Sequence, residues 1–375
     1  MTDRRPTVAL VAHGIHDHGG MERAFFELVK GASDRFRFVV VSAELAPELR
    51  ELVVWHRTTV PMRPIPLKTV AFAFTAAAKL ARTRVDLVHT LGAIVPNHAD
   101  VATVQFCSTG FVRKTRSLAP SGPPLRRLNT SFARLLGLTL ERWCYRPARL
   151  RALAPVSNGI ARELERSFNA VPRSLTPNGV DVTRFAPSPA SRAAVRQELG
   201  AGDELVALFV GGDWNRKGLG IAIDALRAVP HMQLWVVGEG DVARFTARAE
   251  AAGAAGRVRF LGRRTDTERF FAAADVFVFP TLYEAAPLVA YEAAASALPI
   301  VATAVNGLDE LLEGCGLAVE RSAESVGAAL ARLAADPELR RSLGSAGRER
   351  ASTFTWQSSV ETVVALYNRL LEPAA

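Results

Sequence analysis

At 375 residues, 49% hydrophobic and 22% charged, the chain has a globular composition and the length for two α/β domains, each with its own core. No apolar run approaches the roughly 18 residues of a membrane span, and the hydrophobic segment 7–12 behind Met1-Thr2-Asp3-Arg4-Arg5-Pro6 is too short for a secretory leader, so a cytosolic location is expected. The net charge of +9 is uneven: residues 1–175 carry 26 Lys/Arg against 13 Asp/Glu, residues 176–375 carry 20 against 24, and the two halves are expected to face different partners.

The first half opens with the apolar run 7–13, suited to a buried parallel strand, then a polar Gly-rich turn and a helical pattern over 21–30. Strand patterns recur at 36–41, 86–91, 101–106 and 152–156, and Ser157 is placed to cap the next helix. The most apolar stretch, 70–78, is followed at once by Lys79, Arg82 and Arg84. Prolines 172, 177, 187 and 189 punctuate a segment without helical periodicity, the expected linker. Beyond it strands are expected at 205–210, 233–237, 258–261, 276–279 and 300–303 with helices between them, and the chain reads as helix from Ser322 on. Such alternation gives an open, mostly parallel sheet in each half, with ligands at the carboxyl ends of the strands. Cys107, Cys144 and Cys315 lie far apart without zinc or dithiol spacing and are expected as buried thiols.

Three strand-to-helix turns carry chemistry. In the first, Gly19 and Gly20 allow close backbone approach ahead of a helix whose positive end points there, a ligand-free tight turn being the lesser reading. In the second, Gly211-Gly212-Asp213-Trp214-Asn215-Arg216-Lys217-Gly218 brings a guanidinium fork and a point charge to a strand end, a combination that suits adjacent phosphates. In the third, Glu284 and Glu292 flank a segment, 285–289, expected to begin a helix with free N–H groups; Glu292 can take a ribose diol and Glu284 sugar hydroxyls.

On these residues the chain resembles the retaining glycosyltransferases of family four, of GT-B fold. The resemblance is carried by Gly19-Gly20-Met21-Glu22-Arg23, Pro177-Asn178-Gly179-Val180-Asp181 with Arg184-Phe185, Arg216-Lys217-Gly218, Val237-Gly238-Glu239-Gly240, Phe260-Leu261-Gly262 and the Glu284/Glu292 pair. It implies two Rossmann-like, doubly wound domains facing across a cleft, an acceptor-side domain at 1–175 and a nucleotide-sugar domain at 176–355. A last helix within 356–375 would return to the first domain. It also implies that Arg216 and Lys217 hold the donor diphosphate, that Gly20 lets the first loop reach it, and that backbone groups at Ala286, Leu288 and Val289 add contacts. Glu292 would bind ribose, Glu284 the transferred sugar, and Leu261 to Arg263 would lie near the base.

Two positions depart from the family pattern. Gly212 stands where many relatives have Arg, and Gln105 where many have a His near the reacting sugar. Gln cannot titrate near neutral pH, and His89 is a substitute, a core histidine at a strand end being the other reading of it.

The expected activity is hexosyl transfer, with retention, from a UDP- or GDP-linked sugar to a glycan or lipid-linked glycan. Neither metal nor other cofactor is expected, since no D-x-D pair occurs and Arg216, Lys217 and helix N-termini can stabilise a departing diphosphate. A nucleotide-sugar 2-epimerase and a non-catalytic binding protein are the rival readings. Between Arg113 and Arg151 ten basic residues meet one acid, Glu141, interleaved with Leu, Phe and Trp143. That segment reads either as a docking face for the anionic inner surface of a membrane or as a solvated basic helix, and no motif supports nucleic acid.

Overall fold

The computed structural model describes residues 5–61, 64–116 and 124–372. Residues 1–4, ahead of the short hydrophobic segment, lie outside these, as do 117–123 and the side chain of Arg126 in the basic stretch. The chain divides into two compact units, one running to Asn178 and resuming at Trp356, the other spanning Gly179–Thr355.

The first unit is built on strands β1 (Thr7–Val11), β2 (Arg37–Ser42), β3 (Val53–Arg57), β4 (Leu87–Leu91), β5 (Ala99–Val104) and β6 (Leu150–Pro155), all parallel, in the order β3-β2-β1-β4-β5-β6. Every residue of β1 is buried, as its unbroken apolar run requires of a strand covered on both faces. Helices α1 (Glu22–Ala32), α2 (Ile65–Leu80) and α3 (Pro124–Cys144) follow, and the apolar stretch 70–78 is the middle of α2. Ser157 caps its helix by accepting from the Ile160 N–H at 3.3 Å.

The second unit repeats the scheme with β7 (Val206–Val210), β8 (Gln233–Val237), β9 (Val258–Phe260), β10 (Val276–Phe279), β11 (Ile300–Ala302) and β12 (Gly316–Ala318), ordered β9-β8-β7-β10-β11-β12 and again parallel. The order reverses at β7, so the crevice beyond the ends of β7 and β10 is where a sheet of this kind opens to a ligand. The carboxyl edge is drawn tight by glycines. Gly238 has φ +131°, and a Cβ there would come within 2.4 Å of the Gly211 carbonyl oxygen.

Helix α4 (Trp214–Lys217) is a single turn, separated by left-handed Gly218 from α5 (Leu219–Ala225). The helix expected to begin within 285–289 is α6 (Leu288–Ala295); it starts at Leu288, after Pro287, whose own backbone is extended (φ −74°, ψ 106°) at the N-cap. The continuous helix expected after Ser322 is broken at Asp336 and again at 352–355. The last piece, α7 (Trp356–Leu371), buries Val360, Val363, Val364, Leu366 and Tyr367 in the core of the first unit.

Candidate active site

In the second unit the selected residues converge at the carboxyl edge of the sheet. Backbone bonds set the strand ends side by side: the Gly211 N–H donates to Val237 O and the Gly238 N–H to Gly262 O, each at 2.8 Å. Leu261 and exposed Arg263 thus lie at the end of β9, next to Gly238, which is next to Gly211. Trp214 fixes the turn by donating from Nε1 to Gly211 O at 2.9 Å, and Gly240 leaves room for its ring, which a Cβ would meet at 2.4 Å.

Arg216 and Lys217 project from α4 toward the segment that follows β10. Arg216 Nη1 donates to Glu284 Oε1 at 2.7 Å and to the carbonyl of Tyr283, while Nε donates to Asp213 Oδ2 at 2.8 Å. Burial alone would lower its pKa, but Glu284 and Asp213 outweigh that and raise it. Lys217 Nζ lies 4.0 Å from Glu284 Oε1 and 4.8 Å from the centre of the Phe279 ring. Burial pushes the Lys217 pKa down, with Glu284 and, more weakly, Glu292 acting against it. Gly211 is needed beside it, since φ is +131° and a Cβ would approach Nζ to 2.6 Å. Glu284 is mostly buried, and its Oε1 also accepts from Thr281 Oγ1 at 3.2 Å. Glu292 sits in the second turn of α6, while Ala286 precedes that helix and Leu288 and Val289 form its first turn, where N–H groups lack intrahelical acceptors.

The first-unit candidates are placed differently. His89 is 1% exposed, with Nδ1 2.6 Å from Tyr367 Oη and Nε2 2.7 Å from Thr103 Oγ1. Burial pushes its pKa down to about 3. The reading of His89 as a reactive group is corrected: it is a neutral core histidine with both ring nitrogens bonded. Gln105 forms a reciprocal amide pair with Asn178, donating at 2.7 Å and accepting at 2.9 Å, and both are buried. Gly19 has φ +125°, whereas nothing lies within 4 Å of a Cβ built on Gly20, so the turn ahead of α1 requires glycine only at 19. The three cysteines are buried and in no disulfide, and burial raises Cys107 to about 12 and Cys144 to about 11.

Asp213 and Thr281 were not selected from sequence. Asp213 had a signal, an acid three residues before Arg216 and so on the same side of one helical turn; Thr281 had none, because its role depends on the fold of 280–284. Among the described residues no three His, Cys, Asp or Glu side chains group as metal ligands, and no helix is long and apolar enough to cross a membrane.

Comparison with known proteins matches both units. Residues 18–184 match the family described as Glycosyltransferase Family 4, and residues 204–336 that described as Glycosyl transferases group 1. A D-inositol 3-phosphate glycosyltransferase of Kineococcus radiotolerans is 30% identical over 347 residues, covering 81% of this chain and 77% of that protein. Others of that name are matched over 51% of their length. The crystal structure of WaaG, a glycosyltransferase involved in lipopolysaccharide biosynthesis, superposes with a TM-score of 0.81 at 22% identity, over 96% of this chain and 99% of that one. Anabaena HepE in complex with UDP and glucose gives 0.76 at 19% identity, over 97% and 100%. The chain is a GT-B protein and belongs to the group 1, family four glycosyltransferases.

Proposed function

We propose that the protein transfers a hexose from a UDP- or GDP-linked sugar to a hydroxyl of a lipid-linked glycan, with retention and without metal. The observation that carries this is the Lys217 ammonium held at the strand ends beside Glu284 and within the field of Glu292. A cation already stripped of water attracts a diphosphate more strongly than a solvated one. In this reading Lys217 takes the diphosphate with the first-turn N–H groups of Leu288 and Val289, aided by Ala286. Gly211 and Gly238 let backbone approach it, Glu292 binds the ribose diol, Glu284 the sugar hydroxyls, and Leu261 and Arg263 flank the base. HepE was crystallised with UDP and glucose, which supports this class of donor. Retention follows the family resemblance: the acceptor attacks the face the diphosphate leaves, a diphosphate oxygen takes its proton, and Lys217 stabilises the growing negative charge.

A panel of UDP- and GDP-sugars tested by thermal shift checks the donor. One of them is expected to raise the melting temperature of the wild type, by mass action on the native state, and to lose most of that shift in Lys217→Ala. No shift from any of them, or an undiminished shift in the variant, overturns the reading.

The relatives' names span a phosphorylated small alcohol and lipopolysaccharide biosynthesis. Two helices of the first unit favour a lipid-linked acceptor. Helix α2 exposes Leu67 and, at 71%, Phe74; α3, which packs beside it, exposes Leu128 and Phe132 four residues apart on one face. The same helix α3 also exposes Arg127 and Arg142, and Lys114 ahead of it is exposed, a combination of cations and apolar side chains suited to an anionic bilayer. Phosphatidylglycerol vesicles are expected to sediment the protein at low salt, less so at high salt, and poorly for Phe74→Ser/Phe132→Ser. Absence of salt-sensitive sedimentation removes the membrane from the proposal.

A further inference from the structure

We propose that Arg216 is a positioning residue for Glu284 and not a ligand of the donor phosphates, leaving Lys217 as the side-chain cation for the diphosphate; this rests on the donor reading above. Adjacent cations at a strand end suggest one shared task, but their surroundings divide it.

Arg216 is engaged on two sides. Nη1 bonds Glu284 Oε1 and the Tyr283 carbonyl, and Nε bonds Asp213 Oδ2. Its own carbonyl accepts from the Leu282 N–H at 2.9 Å, so main chain and side chain both fasten α4 to the 281–284 segment. Asp213 supplies the outer hold from a left-handed backbone (φ 48°, ψ 53°), uncommon for a residue other than glycine. Nε and Nη1 are spent on these bonds and only Nη2 is without a partner among the described residues, so two neighbouring phosphate oxygens could be gripped only by giving up a bond that holds Glu284 or Asp213.

Lys217 is the opposite case. Its nearest carboxylate oxygen, at 4.0 Å, is beyond hydrogen-bond distance, and its ammonium has no hydrogen-bond partner among the described residues. All three of its donors are available. Glu284, in turn, receives Arg216 and Thr281 on Oε1 alone, which leaves Oε2 for a ligand hydroxyl. Arg216 thus acts through Glu284, by fixing which oxygen is presented and where.

The test separates binding from turnover. UDP and GDP affinities are measured by calorimetry, and kcat with the donor found by thermal shift, for Arg216→Ala, Arg216→Lys, Lys217→Ala, Glu284→Gln and the Arg216→Ala/Glu284→Gln pair. In Arg216→Ala, nucleoside diphosphate affinity is expected to stay within about threefold of wild type while kcat falls on the order of 100-fold, the pattern of lost positioning. Arg216→Lys should not restore kcat, since an ammonium cannot reproduce the fork between Glu284 and Asp213; it reads the same split should the alanine variant fail to fold. Lys217→Ala should weaken the nucleoside diphosphate at least about tenfold. The double variant should be no slower than Glu284→Gln alone, because residues acting as one unit do not lose activity additively. Equal loss of nucleoside diphosphate affinity in Arg216→Ala and Lys217→Ala overturns the assignment, as do losses in kcat that multiply with those of Glu284→Gln. A wild type that binds neither UDP nor GDP instead overturns the donor reading, and this inference with it.

Discussion

A histidine ring with both nitrogens bonded inside a core is a different chemical object from one facing solvent, and His89 carries a pH signature for that reason. Its folded pKa, about 3, lies below the ordinary value of 6.5. Above pH 6.5 it is neutral in folded and unfolded chains alike and contributes no pH dependence. Between about 6.5 and 3 the unfolded chain binds a proton that the folded chain refuses, so stability falls as the pH is lowered, by up to about 1.4 kcal/mol per pH unit. The melting temperature measured from pH 7 to 4 should fall less steeply in His89→Gln than in wild type, after correction for the lower starting stability. The sequence left His89 open because its deciding partner, Tyr367, lies 278 positions away. Gln105 was legible as non-titrating, but not as the partner of Asn178. Gln105→Ala would strand a buried amide, and a loss of about 1–3 kcal/mol in chemical denaturation is expected.

The strands were the most legible elements because buried parallel strands are unbroken apolar runs, as 206–210 and 276–279 show. Within the two six-stranded sheets, the two strands not anticipated have weaker patterns: β3 is an edge strand with residues open to solvent, and β12 has only three residues. Helix starts were less legible. The helix expected to begin within 285–289 does so late in that range, because Pro287 takes the N-cap position with an extended backbone. The turn around α4 depends on Gly218, whose φ is +84° and where a Cβ would lie 2.2 Å from the Pro280 carbonyl oxygen. Gly218→Ala must therefore shift α4 against the end of β10, at a cost of at least about 1 kcal/mol. Because Lys217 is the adjacent residue, nucleotide-sugar affinity should fall along with stability; retained affinity in calorimetry would mean that the turn tolerates the shift.

Across the whole molecule, each unit has its own hydrophobic core, and the second needs no residue from outside Gly179–Thr355 to complete its cluster. A fragment spanning 179–355 is expected to melt cooperatively in circular dichroism. The first unit differs, since deleting α7 removes five side chains from its core cluster, each worth about 1.5–3 kcal/mol of burial, a sum comparable to a domain's whole stability. A chain ending at 355 should therefore keep one melting transition and lose the other. Repeating strand-helix patterns made this two-part plan legible; the return of the last helix came from the family resemblance, since nothing in its own periodicity names the surface it covers.

That return has a consequence for synthesis. The described part of the first unit is interrupted in the chain by the whole of the second, so its six-stranded sheet is synthesised well before the segment that closes it. During that interval the groove for Val360, Val363 and Tyr367 stands open beside Phe25 and Phe36. The second unit, contiguous from 179 to 355, can fold as it emerges. The amino-terminal part is thus the last to be completed, and a pause or cleavage before residue 356 leaves that apolar groove uncovered, the kind of surface through which incomplete chains aggregate.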